Sequence, residues 1–168
     1  MKAVIQRVRD ASVTVEGRVT GSIKRGLLVY LGVAQKDTEK DAQWMADKTA
    51  NLRIFNDQDG KMNHSLRDLI SQGEGGTGPE GPTGSAGVLA VSQFTLLGDL
   101  RKGRRPYYGD AAEPEKAKTL YEFFMEKIRE QGILCEAGVF QALMDVSYVN
   151  EGPVTILLDS THSLPFGV

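Results

Sequence analysis

Gly26-Leu27-Leu28-Val29-Tyr30-Leu31-Gly32-Val33 is an uninterrupted apolar run. An element exposed on one side would alternate, so a run of this kind reads as a strand buried on both faces. Upstream, Val4, Gln6 and Val8 alternate with Ile5, Arg7 and Arg9, and Ser12-Val13-Thr14-Val15-Glu16 continues in the same manner. Both stretches have the period-two pattern of strands, with Glu16-Gly17 as the turn that follows. Downstream a helix is expected. Thr38 and Asp41 have capping-box spacing, and Ala42, Met45, Ala46, Thr49 and Leu52 then share one helical face.

Residues 53–56 read as a short strand and Asp57-Gln58-Asp59-Gly60 as a hairpin turn. The acidic spacing there lacks the Gly and Glu that a calcium loop requires. From Gly75 to Gly87 a glycine recurs at every third position, too briefly for a collagen-like helix and with little apolar side chain to bury. Residues 71–87 are therefore expected to be an inserted surface loop. Residues 88–97 resume as a strand. Pro114 at a first helical position, with Ala117, Leu120, Tyr121, Phe124 and Ile128 on one face and Gly132 as the stop, marks a second helix. Residues 143–150 alternate as a strand that Gly152-Pro153 breaks. Residues 154–159 form a last strand, and 160–168 a loosely ordered tail. The expected fold is α/β, an antiparallel-rich barrel or sandwich with two main helices, in a single domain over residues 1–168.

Composition narrows the function. The net charge is −2, from 20 basic and 22 acidic residues, so any nucleic-acid contact must come from a local cluster. The densest is Arg101-Lys102-Gly103-Arg104-Arg105, which on its own reads as a solvated loop. No run reaches the length of a membrane span, and the first residues do not resemble a signal peptide. Cys135, the one cysteine, fits a reducing cytosol and reads as a buried core residue rather than a nucleophile. His64 and His162 are the only histidines, and neither sits in a strand-to-helix nucleophile motif. No metal-ligand spacing or phosphate loop is present, so neither metal nor cofactor is expected. If the chain is an enzyme, its chemistry rests on main-chain groups, a hydroxyl or the substrate itself.

Two segments remain. Ser92-Gln93-Phe94-Thr95-Leu96 can be a strand bearing hydroxyls, and Asn150-Glu151-Gly152-Pro153-Val154-Thr155 can be a turn between strands. In this order, together with Ile5-Gln6-Arg7-Val8, Ala11-Ser12-Val13-Thr14-Val15, Arg53-Ile54-Phe55, Lys61-Met62-Asn63 and Arg105-Pro106, they closely resemble the D-aminoacyl-tRNA deacylase family over nearly the whole chain. The resemblance implies a cytoplasmic homodimer with sites at the subunit interface. Its substrate would be aminoacyl-tRNA, held at the 3′-terminal adenosine and acceptor end, with no role for DNA or membrane.

On this resemblance Ser92, Gln93, Phe94 and Thr95 form the pocket strand, whose N–H groups hold the scissile carbonyl. Gly152-Pro153 matches the family's Gly-cis-Pro motif, which rejects L residues by steric clash and admits D residues and glycine. Phe140 and Met144 match its Phe-x-x-x-Met pair, and Arg7 the arginine that steadies the Gly-Pro turn. Arg101, Lys102, Arg104 and Arg105 become candidates for tRNA phosphate contact. Tyr107-Tyr108 departs from the family pattern after Arg105-Pro106. A Thr hydroxyl without a base is a weak nucleophile, which favours water activated by the substrate's 2′-hydroxyl, with Thr95 positioning, over a covalent Thr95 ester. A non-catalytic tRNA-binding module and a purely structural dimer are the rival readings.

Overall fold

The computed structural model describes residues 1–74 and 86–161. Most of the Gly-rich run, and the tail from His162 onward with Pro165 and Gly167, lie outside the described residues. Three strands open the chain, β1 (Lys2–Val15), β2 (Arg18–Ile23) and β3 (Gly26–Gly32). The first half of β1 pairs antiparallel with β3 and its second half with β2. Strand β6 (Gly87–Ser92) runs parallel to β3, and β7 (Leu134–Ala137) parallel to β6. Between β3 and β6 come helix α1 (Glu39–Asn51), the hairpin β4 (Phe55–Asn56) and β5 (Met62–His64), and the short helix α2 (Leu66–Leu69). Helix α3 (Pro114–Arg129) precedes β7, and β8 (Asp145–Asp159) closes onto the other edge of β1.

The central apolar run is buried on both faces, as its composition requires. Leu27, Val29 and Leu31 of β3 join Val88 and Ala90 of β6 beneath α1 and α3, against Met45, Leu120, Phe124 and Ile128. Leu28, Leu89 and Val91 point the other way and meet Val8, Ala11, Val13 and Ile23 inside the curled sheet. The sheet nearly closes where β2 approaches β7. A Cβ added at Gly21 would stand 2.5 Å from the Ala137 carbonyl oxygen, so only glycine lets the two backbones approach.

Both expected helices form, and α1 buries Ala42, Met45, Ala46 and Thr49 as expected, but Leu52 lies beyond its end in extended conformation. The Asp41 carboxylate accepts the Thr38 N–H at 2.9 Å, and Gly132, at positive φ, follows the end of α3. Several expectations need correction. Residues 88–97 are not one strand: β6 ends at Ser92, and Phe94–Leu97 turns into a 3-10 helix. The short strand proposed for 53–56 is confined to Phe55–Asn56. Helix α2 was not anticipated, although Ser65 and Asp68 cap it reciprocally, with Ser65 N–H donating to the Asp68 carboxylate at 2.8 Å. The tail does not loosen at Ser160, which is buried, accepts a hydrogen bond from the Met1 amine and donates one to Asp41 at 2.8 Å.

Gly152-Pro153 does not end a strand either. Gln6 faces Thr155 and Val8 faces Asn150, so Arg7 alone on β1 stands opposite residues 151–154 of β8. The excess forms a wide bulge inside one continuous strand. Pro153 is tolerated because β8 is an edge strand, where a missing N–H costs no ladder bond.

Candidate functional site

A cavity of about 620 Å³ opens where the C-terminal end of β6 meets the start of α3 and residues 140–146. Ser92, Gln93, Phe94, Phe140 and Met144 all line it, so five residues singled out from two distant segments are brought together. Tyr121 backs the cavity. Its hydroxyl donates to the Ala90 carbonyl at 2.8 Å, its ring lies 6.0 Å from that of Phe140, and burial raises its pKa. Tyr121 therefore serves as a neutral wall and not as an acid. Leu143, 94% exposed, and Gln141, at φ +63°, form the opposite rim.

The 3-10 turn shapes the polar rim. Gln93 N–H makes the last sheet-like bond, to Leu31 O at 2.8 Å, and Leu96 N–H makes the first helical one, to Gln93 O at 3.3 Å. The N–H groups of Phe94 and Thr95 thus fall between the two ladders. Thr95 is exposed and does not line the cavity itself. Its hydroxyl oxygen accepts from the Gln93 amide at 2.5 Å, which fixes its orientation. Among the described residues no imidazole reaches this rim: His64 lies on β5 beside a separate polar cavity with Arg25, Asn56 and Asp57. Cys135 is also remote from the chemistry. It is buried on β7, and burial pushes its thiol up to about 12, which excludes a thiolate at neutral pH. Among the described residues no three His, Cys, Asp or Glu side chains cluster as metal ligands would.

Arg7, Gly152 and Pro153 do not line this cavity; they form a second cluster in the β8 bulge. The Gly152–Pro153 peptide is cis, both residues are exposed, and Gly152 has φ +120°. Arg7, 6% exposed, donates from Nε to the Glu151 carbonyl at 3.2 Å and from Nη1 to the Ile54 carbonyl at 2.5 Å. Asn150 closes the base of the bulge by accepting the Val154 N–H at 3.1 Å. Asn150 thus holds the base of the projecting turn, and a Cβ at Gly152 would stand 2.8 Å from Arg7 Nη2.

The basic segment lies near the cavity but not in it. Asp99 and Tyr107 exchange main-chain bonds of 2.8 and 2.9 Å, pinching residues 100–106 into a loop. Tyr108 then packs edge-on against Phe94, with ring centroids 5.0 Å apart. Arg101 pairs with Asp99 at 2.6 Å and holds that carboxyl down to about 2, while Lys102, Arg104 and Arg105 are exposed. Tyr121, in the cavity wall, and Tyr108, behind Phe94, are residues that the sequence did not assign to the site. Tyr121 was read only as helix core, and Tyr108 only as a departure from the family pattern.

An apolar cavity with amides and hydroxyls on one rim has the make-up of a small-ligand site. The chain is also similar to known proteins over nearly its whole length. A family profile described as D-Tyr-tRNA(Tyr) deacylase matches residues 4–159. The D-aminoacyl-tRNA deacylase of Koribacter versatilis is 57% identical over 160 residues, covering 95% of this chain and 97% of its own. That of Thermotoga petrophila is 53% identical over 161 residues, covering 96% and 98%. A solved structure titled c-Myc DNA Unwinding Element Binding Protein is 39% identical, with a TM-score of 0.81, covering 95% of this chain and 98% of that one. A probable eukaryotic D-amino acid tRNA deacylase, at 16% identity and a TM-score of 0.73, shares the fold. The chain belongs to the D-aminoacyl-tRNA deacylase family.

Proposed function

We propose that this protein hydrolyses the ester that joins a D-amino acid to the 3′-terminal adenosine of tRNA, and that it does so in the cytoplasm as a homodimer. The observation that carries the reading is the separation of its two motifs. Ser92, Gln93 and Phe94 floor a cavity, while Gly152-Pro153 projects, exposed, from an edge strand outside it. A two-fold dimer would bring the projecting turn of one protomer to the cavity of the other. The exposed Leu143, Tyr148, Val149 and Leu157 on and beside β8 supply apolar surface for such an interface.

In this arrangement the carbonyl oxygens of Gly152 and Pro153 crowd the direction in which an L side chain would project. A D side chain leaves on the other side, and glycine has none, so glycyl-tRNA is also a substrate. Specificity by obstruction needs no reading of side-chain identity. The Phe94 and Thr95 N–H groups polarise the scissile carbonyl. Thr95 is positioned by Gln93 and, among the described residues, has no base beside it, which favours a water activated by the substrate's 2′-hydroxyl over a Thr95 ester. Ester hydrolysis then adds water across the acyl carbon–oxygen bond and releases free D-amino acid and intact tRNA. Lys102, Arg104 and Arg105, carried on the loop that Tyr108 anchors to Phe94, are suited to acceptor-stem phosphates.

Purified protein incubated with D-tyrosyl-tRNA and L-tyrosyl-tRNA tests the reading. Rapid release of the D amino acid with survival of the L ester is expected. Binding without turnover would leave only a tRNA-binding module, and equal cleavage of both would refute the obstruction.

A further inference from the structure

We propose that Glu151 and Arg25 are positioning residues for the Gly152-Pro153 turn, acting as a charged prop beneath the β8 bulge; the functional side of this inference rests on the reading above. Four residues of β8 stand opposite one residue of β1, so no ladder bonds hold the middle of the bulge. Asn150 secures its base and Arg7 secures one carbonyl. Further support comes from the Glu151 side chain, whose carboxylate reaches Arg7 and Arg25.

Glu151 Oε2 is buried without a hydrogen bond and lies 3.6 Å from Arg7 Nε and 3.8 Å from Arg25 Nε. One carboxylate thus faces two guanidiniums from different parts of the sheet: Arg7 from β1, and Arg25 from the turn between β2 and β3. Arg25 is itself placed by the Phe55 ring, 5.6 Å from its guanidinium carbon. Arg7 is saturated on its other side by Ile54 O and Asn56 Oδ1. The chain of contacts runs from Phe55 through Arg25 and Glu151 to the residue that precedes Gly152. A partly buried carboxylate between two cations resists movement, because leaving either one uncompensated is costly. Neutralising Glu151 would set Arg7 and Arg25 against each other directly under the turn.

The test uses full-length Glu151→Gln, Arg25→Gln, Arg25→Lys and the double Gln variant. The order of the turn is read from amide hydrogen exchange at Val154, whose N–H is bonded to Asn150. Exchange about tenfold faster in both single Gln variants is expected, with the double variant no worse than the worse single and Arg25→Lys close to wild type. Each Gln variant should also lower the ratio of D- to L-tyrosyl-tRNA cleavage by about fivefold, with kcat affected more than KM. Unchanged exchange at Val154 in both Gln singles would overturn the prop, whatever the activity. Additive losses that follow a general fall in thermal stability would overturn it too. Wild-type protein without D selectivity, but with faster Val154 exchange in the variants, would sink the functional reading and leave the prop standing.

Discussion

At Gly152 a Cβ would stand 2.8 Å from Arg7 Nη2 and 3.0 Å from Val154 Cγ2, on a backbone whose φ of +120° L residues rarely adopt. Gly152→Ala should therefore displace either the turn or Arg7. The expected outcome is a fall of about tenfold or more in the ratio of D- to L-aminoacyl-tRNA cleavage with little change in melting temperature, since the turn projects, exposed, from an edge strand. Thr95 bears on the reaction differently. Its hydroxyl is exposed and held by Gln93, so Thr95→Ala should retain measurable turnover in a single-turnover assay. Complete loss with intact folding and tRNA binding would revive the covalent ester. Cys135 offers a third check at this scale. Its thiol, pushed up to about 12 by burial, stays protonated and should resist iodoacetamide in native protein at pH 8, yet react at once in denaturant.

Among the elements, the seam between β2 and β7 is an exacting contact. Gly21→Ala would drive a methyl into the Ala137 main chain, which cannot move aside as a flexible side chain could, and should cost about 3 kcal/mol in chemical denaturation. The elements that could be read in advance were those whose periodicity had a single explanation. The run around Leu28 could only be buried on both faces, and the apolar stripe of α3, bounded by Pro114 and Gly132, had no competing pattern. Residues 88–97 misled because an apolar run carries no period and no Gly or Pro marks the change at Gln93. The ladder to β3 ends at Leu31, and the chain turns there for a tertiary reason. The Ser65–Asp68 cap of α2 was present in the sequence, but the helix it starts is too short to display a face. Pro153 looked like a terminator because a proline inside a strand normally is one. Only the position of β8 at the edge, which depends on the assembled sheet, reverses that inference.

For the molecule as a whole, the pocket residues were legible as two motifs, but their physical relation was not. Nothing local to residues 92–96 and 140–144 indicates that they meet at one cavity beside α3, or that Gly152-Pro153 lies outside it. That geometry makes a site completed by a second protomer the central claim, and mixed dimers test it most directly. One protomer carries Gly152→Ala with its cavity intact. The other carries a cavity-blocking Phe140→Trp with its Gly-Pro turn intact. The homodimers should show poor selectivity and poor turnover, respectively. Random exchange of the two should then restore D-selective cleavage at about a quarter of all sites, because half the dimers are mixed and each mixed dimer contains one site with both parts sound. Activity equal to the sum of the two homodimers would contradict the account, since it would mean that each protomer builds its site alone.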